Sequence, residues 1–329
     1  MEKTSVTLQD IREAAERIRP FIRRTPLLRE ATLDNLLGCQ VYLKPEMLQI
    51  TGAFKLRGAL SKILTLTPEE RARGIITSSS GNHAQACAYA GQLLGIKVTV
   101  IVPDDTPHLK VSNARRMGAN VILWERTYAE RWKKVQQEVE EHGYSIVHAF
   151  EDYTVMAGQG TIALEIMEDL PDVETVLVPI GGGGLISGIS TAIKESNPKI
   201  RVVGVQAANS DGFRASREAG QRIRIQSKPT IADGITCSMP TERPFQVVER
   251  YVDEIVSVEE NDIREAVRQI AREAKLIAEP TSSVVVGALL AHKITVRPDE
   301  KVALVLTSGN WDIENIGKIF KDEPVPGVL

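Results

Sequence analysis

Cysteine is scarce in this chain. Cys39, Cys87 and Cys237 are far apart and odd in number, which argues against a disulfide framework and for a reducing compartment. No two of them have CxxC spacing, so the common zinc patterns are absent. Positive charge is not in surplus either. The formal net charge is −3, which gives no basic field for nucleic acid or an anionic membrane surface. No run of about 18 apolar residues occurs, so no transmembrane helix is read. The charged N-terminal segment has no apolar centre of the kind a secretory signal needs. A cytoplasmic protein is expected. Low-complexity tracts and repeats with a period of about 20–50 residues are missing too.

At 329 residues, with 43% hydrophobic and 25% charged residues, the chain is of ordinary globular composition and too long for one small core. Short Val- and Ile-rich runs alternate with longer amphipathic segments. The runs 41–44, 74–77, 97–102, 120–123, 175–179, 201–205 and 301–306 predict strands. Segments 82–94, 109–117, 129–141, 158–168 and 260–274 predict helices between them. The strand runs show little polar alternation, as strands buried on both faces do. The class is therefore α/β, with two open, twisted, mainly parallel sheet domains. One small domain is expected over residues 74–150, and a larger one over residues 1–70 and 151–329. Residues 206–243 are the least regular stretch, read either as a cover over a ligand site or as a solvated loop.

The run Gly181, Gly182, Gly183 and Gly184 follows a predicted strand and precedes LISGISTAIKE, which has helical spacing. Four glycines cost backbone entropy unless the chain must turn with φ > 0 or approach something closely. A glycine turn feeding a helix N-terminus presents free N–H groups and a positive dipole end, which suits phosphate. The spacing is neither GxGxxG nor GxxxxGK[ST], so dinucleotide and nucleoside-triphosphate readings are weak. A small phosphorylated ligand is the better reading, with a plain tight turn as the alternative.

Lys55 stands at the start of a predicted helix, LRGALSKILTL, with Gly52, Ala53 and Phe54 before it. By itself such a lysine is usually a solvated charge. A buried lysine near a helix's positive end has its charged form disfavoured, which frees the amine for imine chemistry. Further on, ITSSSGNHAQACAYA turns from a strand into a helix. Its hydroxyls and N–H groups suit a small carboxylate, and the Asn82 amide suits a phenolate oxygen. His83 reads as a histidine bonded to backbone in preference to a general base. Thr307, at the end of the last strand, offers a hydroxyl to a ring nitrogen.

Together these segments resemble the fold-type II pyridoxal-phosphate (PLP) enzymes, of tryptophan synthase β-like fold. Within them the chain looks like the serine/threonine dehydratase and serine racemase family. TGAFKLRGA, SSGNHAQA, AGQGT, GGGGL, ADGI, EPTS and TSGN occur in the family's order and span nearly the whole chain. The resemblance implies that PLP is the cofactor, with Lys55 as its Schiff-base lysine and Phe54 against its ring. It implies Asn82 at the 3′-oxygen, Gly181 to Gly184 and Leu185 at the phosphate, and Thr307 in place of the usual serine at the ring nitrogen. Ser79, Ser80, Gly81 and His83 are expected to receive the substrate carboxylate.

Three positions bear on the substrate. Ser80 stands where similar racemases have a second acid/base, or else merely closes its loop. Where those racemases hold a divalent metal, GVQAANSDG has Gln206 and Gly212, and Asp211 alone is a poor site for a hard cation, so no metal is expected. Arg131 falls roughly where those racemases have an arginine at the active-site mouth, or else is plainly solvated on the exposed face of its helix. The chain ends at Leu329, soon after TSGN, so no amino-acid-sensing regulatory domain is expected. The resemblance implies an L-threonine and L-serine ammonia-lyase, acting as a homodimer or homotetramer on a small hydroxyamino acid. Serine racemisation and dehydration of another 3-hydroxyamino acid such as 3-hydroxyaspartate are the alternatives. A binding protein without lyase activity is a further one.

Overall fold

The structure is a computed structural model that describes residues 4–106, 108–125 and 127–325, so both chain ends lie outside the described residues. Its strands are β1 (Leu28–Arg29), β2 (Gln40–Pro45), β3 (Ile75–Ser78), β4 (Val98–Pro103) and β5 (Asn120–Trp124), followed by β6 (Ser145–Ile146), β7 (Thr175–Pro179), β8 (Arg201–Ala207), β9 (Glu254–Val258) and β10 (Lys301–Leu306). The larger sheet runs β1-β2-β10-β7-β8-β9 and the smaller β5-β4-β3-β6. Among the described residues, every pairing between these strands is parallel except that of β1 with β2.

The side-chain period of a strand explains the layers. On one face of the large sheet Val176, Val178, Val202, Ala303 and Val305 enter one apolar cluster. The alternate residues Leu177, Val203, Val302, Leu304 and Leu306 enter another on the opposite face. Both faces are thus covered, which is why these strands read as unbroken apolar runs.

Six helices carry or support the candidate site: α1 (Lys55–Ile63), α2 (Asn82–Leu94), α3 (Tyr128–His142), α4 (Tyr153–Asp169), α5 (Gly184–Ser196) and α6 (Pro280–Leu290). Asp152 caps α4 by accepting from the amides of Thr154 and Val155 at 2.7 and 3.2 Å. Helices α2 and α3 end on left-handed Gly95 and Gly143. Helix α1 contributes in two directions. Its Leu56, Leu60 and Ile63 join the apolar cluster of the small sheet, while Gly58 lies against α4.

Strands β1, β6 and β9 are absent from the sequence reading. All three are sheet edges, where one side is solvated and no continuous apolar run is needed. The helix expected over 260–274 is α-helical only over Glu260–Gln269, then passes through a π-turn, Ile270–Ala274, to left-handed Lys275. The stretch 206–243 contains a helix, Gly212–Glu218, before its irregular part. No helix among the described residues is long and apolar enough to cross a membrane.

Candidate active site

Strands β3, β7 and β10 all end at one cavity of about 360 Å³, which Ser78, Pro179 and Thr307 line. Parallel sheets place ligand sites at their carboxyl ends. A second void of about 510 Å³ opens at the opposite end of the large sheet, around Thr175 and Arg201. Its arginines are engaged, Arg201 with Glu254 and Arg297 with Glu174, and it lies at the amino ends of the strands, away from Lys55 and the glycine turn.

Lys55 opens onto the first cavity from the first position of α1. Its Nζ donates to the Ala149 carbonyl at 3.1 Å and lies 4.9 Å from the centre of the Phe54 ring. Surrounded by protein, the amine is desolvated, which pushes its pKa down to about 8 against a smaller opposing effect from Cys87. The segment before it is pinned to the end of β10. Phe54 N–H donates to the Thr307 carbonyl at 3.0 Å, and Asn310 Nδ2 donates to the Thr51 carbonyl at 2.7 Å.

Gly181 to Gly184 and Leu185 line the same cavity. The amides of Gly182, Gly183, Gly184 and Leu185 make no hydrogen bond among the described residues, so they are free to hold an anion at the start of α5. The glycines are also required from behind. A Cβ on Gly182 would lie 2.3 Å from the Phe150 ring. One on Gly183, whose φ is +86°, would lie 2.6 Å from Phe213.

Asn82 and Thr307 enter from other sides, and a residue the sequence reading left without a role links them. Buried Glu279, of the EPTS motif, accepts from Asn82 Nδ2 at 3.1 Å and from Ser308 Oγ through the same oxygen. Thr307 Oγ1 is 3.3 Å from Ser308 Oγ. Asn82 Oδ1 in turn accepts from Asn310 Nδ2 at 2.9 Å. The signal for Glu279 was its place in a motif. Its partners lie 197 and 29 residues away, which no local pattern reveals.

Ser79, Ser80, Gly81 and His83 also line the cavity. Gly81 N–H donates to Ser79 Oγ at 3.3 Å, which folds the turn. His83 is buried with Nε2 2.9 Å from the Val147 carbonyl, so Nε2 carries the proton. Burial, with Lys55 nearby, pushes its pKa down to about 3.

Of the two readings of Arg131, the structure favours the one at the cavity over the solvated one. The residue lines the cavity from α3, and its Nε donates to Ser78 Oγ at 3.2 Å. Desolvation lowers its pKa. The helical period put Arg131 on a polar face, but not that this face closes over β3.

Phe150 and Ala149 were not foreseen either. Their loop is held by His148, whose Nδ1 accepts from the amides of Phe150 and Glu151 at 3.1 and 2.8 Å. The His148 ring stacks on Trp132 with centroids 4.5 Å apart. Near Gln206, Asp211 Oδ2 is taken by Arg214 Nε at 2.7 Å and Ser257 Oγ at 3.0 Å. A guanidinium thus occupies the carboxylate.

The donor set suits PLP. A desolvated amine would take its aldehyde, unpaired amides at a helix start would hold its phosphate, and Asn82 and a buried hydroxyl at Thr307 would serve its ring. Comparison with known proteins agrees. An L-threonine ammonia-lyase of Thermotoga maritima is 45% identical over 315 residues, 96% of this chain and 78% of that one. A threonine deaminase of T.th. superposes with a TM-score of 0.88 at 41% identity, covering 93% of this chain and 99% of that chain. Serine racemase of Dictyostelium discoideum gives a TM-score of 0.88 at 36% identity, with the same coverage. Residues 18–308 match the family described as pyridoxal-phosphate dependent enzyme, and on that match the chain belongs to this family of fold-type II.

Proposed function

We propose that the chain is an L-threonine and L-serine ammonia-lyase that forms 2-oxobutanoate or pyruvate and ammonia by β-elimination. The observation that carries this reading is the convergence of Lys55 Nζ, the unpaired amides after β7 and the Ser79–Gly81 turn on one cavity. Relatives of 45% and 42% identity that bear the name L-threonine ammonia-lyase support it.

When bound, PLP supplies a sink for the electron pair left at the substrate's Cα. The residues of the chain would do the rest. Lys55 Nζ, largely free of its charge above a pH of about 8, accepts the Cα proton. The Ser79–Gly81 turn, before the start of α2, receives the substrate carboxylate. Gly182 to Leu185 would hold the phosphate through their amides, with Phe54 packed at the ring and Asn82 bonding its phenolate oxygen. Thr307 offers the ring nitrogen a neutral hydroxyl in place of a carboxylate, which favours elimination over transamination. The β-hydroxyl leaves with a proton as water, and the released enamine takes up water to give the 2-oxo acid and ammonia. No redox partner is needed.

A second reading, serine racemisation, is favoured by one observation. Ser80 lines the cavity and its hydroxyl makes no hydrogen bond among the described residues, so it is available as a second acid/base. Incubation with L-threonine, L-serine, D-serine and 3-hydroxyaspartate, following 2-oxo acids and D-serine together, separates the two. Pyruvate is expected to outrun D-serine. The opposite order would make the protein a racemase, and Ser80→Ala should then abolish D-serine formation while sparing elimination. We assign the protein to the cytoplasm, and to a homodimer or homotetramer on the family's pattern.

A further inference from the structure

The AGQGT motif, Ala157 to Thr161, lines no part of the cavity, yet its turn of α4 touches both helices that begin there. On one side Gly158 meets α1. A Cβ at Gly158 would lie 2.5 Å from the Arg57 carbonyl oxygen and 2.7 Å from Gly58 Cα. On the other side Gly160 meets α5, where a Cβ on Gly188 would lie 2.1 Å from the Met156 carbonyl oxygen and 2.6 Å from Gly160 N. Both contacts are backbone against backbone, and neither can yield by a change of rotamer.

Between the two glycines, Gln159 caps α1. The N-cap residue of α1, Phe54, provides no side-chain bond. The Gly58 amide, in the first turn of that helix, donates instead to Gln159 Oε1 at 3.1 Å. Ser61 Oγ on α1 also donates to the Thr154 carbonyl at 2.8 Å. So α4 meets α1 through a cap and a glycine contact, and α5 through a second glycine contact. Lys55 starts α1, and the Gly181–Gly184 turn leads into α5.

We infer that the Gly158-Gln159-Gly160 turn of α4 is a positioning element that sets the separation between Lys55 and the phosphate-holding turn. The inference rests on the reading that one cofactor occupies both ends. A ligand held at two points gains from the second only if the span between them is right. Interiors are close-packed, so a methyl inserted at a glycine contact separates the helices by roughly 1 Å. A misfit of about 1 Å is enough to matter at a reacting centre.

The test compares two aldehydes, pyridoxal 5′-phosphate and pyridoxal, on the full-length protein freed of cofactor. Both condense with Lys55 by loss of water. Borohydride then delivers hydride to the carbon–nitrogen double bond and fixes a secondary amine, which gives the occupancy at each concentration. Gly160→Ala and Gly188→Ala part α4 from α5. Gln159→Met removes the cap on α1 at similar volume. The expected result is a 10- to 100-fold loss of affinity for the phosphorylated aldehyde, by the roughly 1 Å argument, with pyridoxal little changed.

Equal losses for both aldehydes in a folded variant would overturn the inference, as would unchanged preference. If the glycine variants do not fold, Gln159→Met decides alone, and retention of the wild-type preference in it overturns the inference. A wild-type protein that takes both aldehydes equally at Lys55 would instead sink the shared-cofactor reading, and the spacer role with it.

Discussion

Asn82 Nδ2 donates to Glu279 Oε1 at 3.1 Å, so a buried carboxylate at the foot of α6 orients an amide at the start of α2. The same oxygen accepts from Ser308 Oγ, beside Thr307. One buried carboxyl group therefore holds Asn82 directly and reaches Thr307 through Ser308. Glu279→Ala should weaken cofactor binding about 10-fold or more, because a buried polar partner left unsatisfied costs about 1–3 kcal/mol. Glu279→Gln, which keeps an acceptor, should lie between. Spectrophotometric titration of the cofactor-free protein measures this. Unimpaired binding combined with lower thermal stability would reduce Glu279 to a purely structural part.

Lys55 gives a pH dependence whose sign follows from its environment. Desolvation holds its pKa at about 8, against 10.5 for an ordinary lysine. Capture of aldehyde by the cofactor-free protein should rise with pH and level off just above 8. Between 8 and 10.5 the unfolded chain binds a proton that the native one does not, so native stability should rise with pH across that window. A Lys55→Met variant should lose both effects, with turnover down by more than about 10³-fold. Melting curves and borohydride fixation from pH 7 to 10.5 test the window.

Arg57 is fully buried and forks between Glu46, at 2.8 Å, and Glu165, at 2.6 Å. Lys44 completes the cluster at 2.6 Å from Glu165. Removing Arg57 leaves two buried carboxylates with one cation. Arg57→Met should cost about 3–5 kcal/mol of stability, as broken buried pairs do. Urea unfolding measures it, and a loss below about 1 kcal/mol would mean that water reaches the cluster.

At Asp211, Arg214 and Ser257 already take one carboxylate oxygen, Oδ2, and set a guanidinium charge beside the place a cation would occupy. Added Mg²⁺ or Ca²⁺ should leave the wild-type melting temperature and turnover unchanged, and so should a chelator. A cation-dependent rise in either would show that Arg214 gives way. Calorimetric titration with each ion would then locate the binding.

Much of the architecture was readable from local pattern. The runs at 175–179 and 301–306 became β7 and β10 with unchanged limits, because central strands are apolar on both faces. The edges β1, β6 and β9 escaped, since half-solvated strands carry no such run. Helix α6 escaped for a related reason. Its PTSSVVVGALL is buried along nearly its whole length, and a helix covered all round shows no amphipathic period.

The order of residues by itself determined the α/β class, a glycine turn at a helix start, and a lysine beginning another helix, because backbone preference and hydrophobic period act over a few residues. Only the tertiary structure decided that Lys55, Asn82, Gly182 and Thr307 share one cavity, that Arg131 faces it, and that Glu279 joins two of its walls. Those contacts depend on the distance between groups far apart in the chain. That distance is set by how the helices and sheets stack, with Gly158 and Gly160 against backbone on either side of α4.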